Sequence, residues 1–163
     1  MSDKQLSQAE VEEKLWKAVD HHKTGMLGLN GSSDHFQPMT AFVEPETNIL
    51  WFFTSKDTDL AQAAAGADAM FHFQSKEVYA CIDGKITVDH DRARIEKFWN
   101  PHVAAWYPQG KDDPSLTLLR FDAGEAAVWL VQGGPIKYFF EVAKANASKS
   151  IPDVGERRDL NLH

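Results

Sequence analysis

The stretch AMFHFQSKEVYACIDGKITVD, residues 69–89, decides the fold class. Its apolar and polar residues alternate through AMFHFQ, EVYACIDG and KITVD, which reads as three short strands in quick succession. Asp83-Gly84 between the second and third is a hairpin or bulge signal. Upstream, NILWFFT (48–54), PMTAFV (38–43) and GMLGL (25–29) read as further strands, with turn composition at NGSSD and a break at Glu44-Pro45. Downstream, LTLLRFD (116–122) and AAVWLVQ (126–132) add two more, separated by a turn at Ala123-Gly124.

Helices punctuate this strand set. SQAEVEEKLWKAVD (7–20) carries Val11, Leu15, Ala18 and Val19 at helical spacing, with Ser7 and Glu10 in capping-box register. KDTDLAQAAAGA (56–67) holds a helix that Gly66 is expected to end, and Asp91 opens RARIEKFW with Ile95, Phe98 and Trp99 on one face. Residues 100–114, with three prolines, read as a long ordered loop. Pro135 starts a last helix, IKYFFEVAKANA. The expected class is mainly β with flanking helices (α+β), in one domain over residues 1–150 with a polar, loosely held tail at 151–163. About eight short strands suggest a closed or nearly closed sheet, because closure removes exposed edges.

The bulk numbers narrow the function classes. The 163 residues carry 17 Lys and Arg against 24 Asp and Glu, a net charge of -7 that repels polyanions, so no nucleic-acid partner is expected. No run approaches the roughly 20 apolar residues of a membrane span, and the opening residues lack a signal-peptide core. No membrane partner is expected. The single cysteine, Cys81, allows no internal disulfide, which fits a reducing, cytoplasmic location, and its apolar flanks read as a buried thiol rather than a catalytic one.

The seven histidines show no HxxxH or HxH spacing, so no metal site is expected. An esterase elbow, a P-loop and a dinucleotide fingerprint are likewise missing from the sequence. What remains is TSKDTD (54–59), where a strand turns into a helix. Thr54, Ser55 and Lys56 there suit an anionic oxygen; the alternative is that Ser55, Asp57 or Thr58 only caps the helix. Of the five tryptophans, Trp16, Trp51 and Trp99 read as core, Trp106 as a loop aromatic covering a ligand or a partner, and Trp129 as either.

Taken in order, QPMTAF, LWFFTSKDTD, VYACIDGKITVD, RIEKFWNP, AAWYPQGKDDPSLTLLRF and AVW resemble the general stress protein branch of the pyridoxamine 5'-phosphate oxidase-like family, over about residues 8 to 150. The WNP and WYPQGKDDPSLTLL segments are the most specific part. The resemblance implies an FMN-binding split β-barrel, a homodimer with flavin between the subunits, and FAD as the alternative cofactor. It implies that Met39 and Thr40 lie on the flavin-facing strand and Phe53 beside the ring, with Thr54 and Ser55 as phosphate hydroxyls. Tyr79 falls near the ring edge, and Trp129 matches an aromatic supplied across the interface. Gln37 stands at the family's phosphate-binding arginine and Leu60 at its lysine, leaving Lys56 and His35 as substitute cations. Two function classes follow: a flavin-dependent oxidoreductase of the stress-response type, or a non-enzymatic dimeric binding or scaffold protein that has lost tight flavin affinity.

Overall fold

The computed structural model describes residues 5–131, 135–152 and 155–163. Helix α1 (Gln8–His22) begins where expected: Ser7 Oγ accepts from the Glu10 amide at 3.2 Å, and Glu10 Oε1 accepts from the Ser7 amide at 3.4 Å. Such a cap contributes about 1 kcal/mol. Val11, Leu15, Trp16 and Val19, one stripe of the helix, are buried in the main core. Trp16 Nε1 donates to Asn48 Oδ1 at 2.9 Å, and Asn48 Nδ2 donates to the Leu162 carbonyl at 3.1 Å, so one asparagine ties α1 to both the turn at residues 45–48 and the C-terminal segment.

The strands are β1 (Thr24–Leu29), β2 (Gln37–Thr40), β3 (Phe42–Glu44), β4 (Ile49–Ser55), β5 (Ala65–Gln74), β6 (Val78–Asp89), β7 (Leu116–Val131) and β8 (Gly155–Asn161). All pair antiparallel in one sheet of order β2-β1-β5-β6-β7-β4-β3, with β8 on β7. The two ends of that order, β2 and β3, are separated only by Ala41, so the sheet curls on itself until a single kinked segment serves both edges. This is the expected split β-barrel. Its interior is filled by inward residues such as Leu27, Leu50, Phe52, Phe71, Ile82 and Phe121.

Several expected breaks are not breaks. Residues 78–89 form one strand, because β5 and β7 pair with it on both sides of Asp83-Gly84; the dipeptide makes a bulge, with the register shifting between Ile82 and Gly84. Glycine is needed there because a Cβ would lie 2.5 Å from the Phe121 ring. β7 likewise runs through Ala123-Gly124. Helix α2 (Asp59–Ala63) stops before Gly66, which instead carries a φ of 92° at the start of β5. The 100–114 loop contains α4 (Pro101–Ala104) and a 3-10 turn at Gly110–Asp112, after α3 (Arg92–Phe98). The supposed tail pairs along β7 as β8, with Leu160 and Leu162 in the main core. Along β8 exposed Arg157 and Asp159 alternate with half-buried Glu156 and Arg158 and buried Leu160, so the segment reads as polar while still holding an edge.

A second apolar cluster lies outside the barrel. Phe42, Ile49, Trp51, Tyr107, Leu116 and Leu118 pack there beneath Ile95, Phe98 and Trp99, as the spacing of RARIEKFW predicts. Its polar lid is Glu44, which accepts from Trp51 Nε1 at 2.7 Å, Arg94 Nε at 3.2 Å and Lys97 Nζ at 3.3 Å. Burial alone would raise the Glu44 pKa, but these three donors and the Arg94 charge outweigh it and hold the carboxyl below the usual 4.5. A depressed carboxylate stabilises the fold above its unfolded pKa and loses that contribution as pH falls through the folded one. Glu44→Gln is therefore expected to flatten the acid limb of a denaturation-midpoint profile between about pH 5 and pH 3. Wild-type and variant profiles that stay parallel there would refute this role.

Candidate functional site

One outward face of the barrel carries an aromatic cleft built by strand register. Met26 on β1 pairs with His72 on β5, His72 with Cys81 on β6, Gln74 with Tyr79, and Tyr79 with Trp129 on β7. Side chains on directly opposed residues of one face lie about 4.5–5.5 Å apart at Cβ, so these residues form a continuous surface. They line a cleft of about 370 Å³ together with Thr24, Gly25 and Phe73. A Cβ on Gly25 would come within 2.4 Å of the Phe71 ring and 2.5 Å of the His72 carbonyl oxygen, so only glycine lets β1 lie this close to β5. Met26, Tyr79 and Trp129 are each 39% exposed, unlike the barrel's inward residues. The Arg157 guanidinium lies 5.3 Å from the Trp129 ring centroid, and Phe36 packs on His72 at 4.8 Å.

Cys81, expected as a buried thiol, is half-exposed in this cleft. The apolar neighbours that suggested burial, Ala80 and Ile82, are the ones that point inward.

The remaining expected site residues divide between the two faces of the barrel wall. Met39 packs against the inner core, while Thr40 is exposed and pairs with Thr24 at the cleft edge. Gln37 is half-buried on β2 and pairs with Leu27. Phe53 is half-buried among the outer aromatics, 5.7 Å from Phe42 and 6.1 Å from Trp99 between ring centroids. Leu60 is 2% exposed and part of the main core, so its side chain is not presented to a ligand. Lys56 and His35 are exposed, and among the described residues neither takes part in a side-chain ion pair.

The hydroxyls of TSKDTD are largely engaged. Thr58 caps α2: its Oγ1 accepts from the Ala61 amide at 3.3 Å and donates its one proton to the Ser55 carbonyl at 2.9 Å. In the 3.3 Å contact between Thr54 and Thr58 hydroxyls, Thr54 must therefore be the donor. Ser55 Oγ faces the Tyr107 phenol, whose pKa burial pushes up against that contact. The group without a partner among the described residues is Thr117 Oγ1, buried opposite Thr54 on β7. Sequence reasoning missed it, since only the β4–β7 register sets the two threonines side by side.

The residues present thus fit a planar aromatic ring, with aromatic walls and a bare backbone floor. The groups that suit its anionic tail, the exposed Lys56 ammonium beside Ser115 and the buried Thr117 hydroxyl, lie toward the start of β7, with Thr117 twelve residues from Trp129 along the strand, and neither lines this cleft.

Known proteins share this architecture. Residues 10–153 match the family model described as pyridoxamine 5'-phosphate oxidase like. General stress protein 26 of Bacillus subtilis (strain 168) is 25% identical over 124 residues, covering 72% of this chain and 86% of that protein. A Jannaschia sp. CCS1 protein assigned as general stress protein 26 superposes with a TM-score of 0.81 at 29% identity, covering 95% of this chain and 99% of the other. The general stress FMN/FAD binding protein from the phytopathogen Xanthomonas citri superposes at 0.69 with 46% identity, over 75% of this chain and 89% of that one.

Proposed function

The chain belongs to the pyridoxamine 5'-phosphate oxidase-like family, and on that premise we propose that it is a flavin-binding protein of the general stress type, holding FMN or FAD at the cleft of a homodimer. The observation that carries this reading is the aromatic cleft of Met26, Tyr79 and Trp129, open on a sheet face and floored by Gly25. The 46% identical Xanthomonas citri protein, described as binding FMN or FAD, supports the same ligand class. A bound flavin supplies one- and two-electron redox chemistry. The chain's part is to stack the ring, to offer Tyr79, His72 and Thr24 as hydrogen-bonding groups at its edge, and to keep bulk water off one face.

The test is a titration of the purified protein with FMN, FAD and riboflavin, read by quenching of flavin fluorescence. Saturation at one flavin per chain is expected, with Kd at or below about 10 μM, near 7 kcal/mol. Trp129→Ala is expected to weaken binding about tenfold, because a stacked aromatic contributes about 1–3 kcal/mol. No quenching at about 100 μM flavin would overturn the reading.

The engaged hydroxyls favour a second expectation about affinity. With Lys56 exposed, its charge should contribute only about 0–1 kcal/mol, so FMN and riboflavin should bind within about fivefold of each other. A colourless protein that takes up none of the three flavins would instead be the non-enzymatic scaffold that the same fold allows.

A further inference from the structure

The aromatic cleft does not end at Cys81. That residue lines both the cleft and a second hollow of about 560 Å³ on the same outward sheet face, edged by Asp83 on β6, Glu125 on β7 and Arg157, Asp159 and Asn161 on β8. The two volumes make one strip. Tyr79, Cys81 and Asp83 follow one another along β6 at steps of about 7 Å. Register sets Ala127 beside Cys81, Asp159 beside Ala127 and Asn161 beside Glu125, so β8 supplies the far wall.

The two ends of the strip differ in chemistry. The cleft is walled by aromatic and apolar side chains, whereas the hollow sets three carboxylates against one guanidinium. That guanidinium is already held: Arg157 lies 3.1 Å from Asp159. Among the described residues no other lysine or arginine lines either volume, and Lys85, the next cation along β6, lies 2.7 Å from Asp68. Carboxylate oxygens accept from hydroxyl groups and repel a phosphate. Asn161 Oδ1 already accepts from the His163 amide at 3.0 Å, which turns its side-chain N–H groups to the task of donating. Such a lining suits a neutral polyol.

We propose that the side chain of the bound flavin runs from the cleft over Cys81 into this hollow, where Asp83, Glu125 and Asn161 hold its ribityl hydroxyls. The two carboxylates then select an uncharged tail over a phosphorylated one. This inference rests on the flavin reading and deepens it: the cleft seats the ring, and the hollow sets which flavin is preferred. It also gives the cation-poor positions Gln37 and Leu60 a counterpart, because a site for a neutral tail has no phosphate to neutralise.

The test is the double variant Asp83→Asn with Glu125→Gln in the full chain, which removes two charges at exposed positions while keeping oxygens that accept from hydroxyls. Kd values for riboflavin and FMN are read by fluorescence quenching at about 20 mM and about 300 mM salt, with circular dichroism to confirm folding. Wild type is expected to prefer riboflavin at low salt, within the fivefold range given above, and to lose that preference at high salt. In the double variant the ratio of the two constants should shift about tenfold toward FMN, with riboflavin binding changed less than about threefold. A wild-type preference for FMN, or a folded double variant whose ratio does not move, overturns the proposal and leaves flavin binding in place. So does a ratio that responds to Lys56→Ala instead, which would seat the tail at the start of β7. Uptake of none of the flavins would sink the flavin reading and this inference with it.

Discussion

Trp51→Ala is expected to lower the unfolding free energy by about 3–5 kcal/mol, a large part of the 5–15 kcal/mol typical of a domain. The indole is fully buried on β4 at the centre of the outer cluster, where no neighbouring side chain can refill its volume without leaving α3 unsupported. It also carries electrostatic duties. The Arg94 guanidinium lies 4.9 Å from its ring and Arg120 6.0 Å, and its Nε1 is one of three donors on Glu44. Trp51→Phe separates these effects: it keeps most of the volume but removes the donor, so Glu44 should move back toward an ordinary carboxyl pKa while the packing loss stays smaller. Denaturant midpoints at unchanged slope would measure both variants. A loss below about 1 kcal/mol for the alanine variant would mean that the outer cluster is not a second core.

Leu60→Lys is the other large effect, and it runs against what the family resemblance suggests. The resemblance puts a phosphate-binding lysine at this position, so restoring it looks like a gain of flavin affinity. In the structure Leu60 lies on the inner side of the five-residue α2, in the main core. A lysine there forfeits about 1.5–3 kcal/mol of apolar burial and brings an ammonium toward an unpaired interior. A net loss of about 3–5 kcal/mol is expected, with no tightening toward FMN over riboflavin. Leu60→Met, which conserves volume, should cost less than about 1.5 kcal/mol. A Leu60→Lys protein that is as stable as wild type and prefers FMN more than about tenfold would show that α2 turns outward when ligand binds.

Much of the architecture is legible residue by residue. The capping box at Ser7 and Glu10, the Asp91 cap of α3 and the apolar face of RARIEKFW are local patterns, and local patterns survive folding because their energetics involve only neighbours in the chain. The number of strands came out right although their divisions did not. Asp83-Gly84 and Ala123-Gly124 carry hairpin chemistry, but long partners on both sides hold the chain straight through them. The C-terminal segment shows the same thing from the other direction: its charges read as a tail, yet the free edge of β7 supplies it with a ladder.

What the amino-acid order determined by itself is the class: a net negative, strand-rich domain with capped helices and the motif string of one family. What only the folded chain decided is which residues share a surface. Tyr79 and Trp129 are 50 positions apart and become neighbours through the β6–β7 register, as Thr54 and Thr117 do through β4 and β7. Side-chain direction in a strand alternates with every residue, so a site on a barrel wall depends on register, and register depends on partners far along the chain. The same dependence left Leu60 inside the core and turned Phe139 and Phe140 of the last helix, Pro135–Ser148, outward.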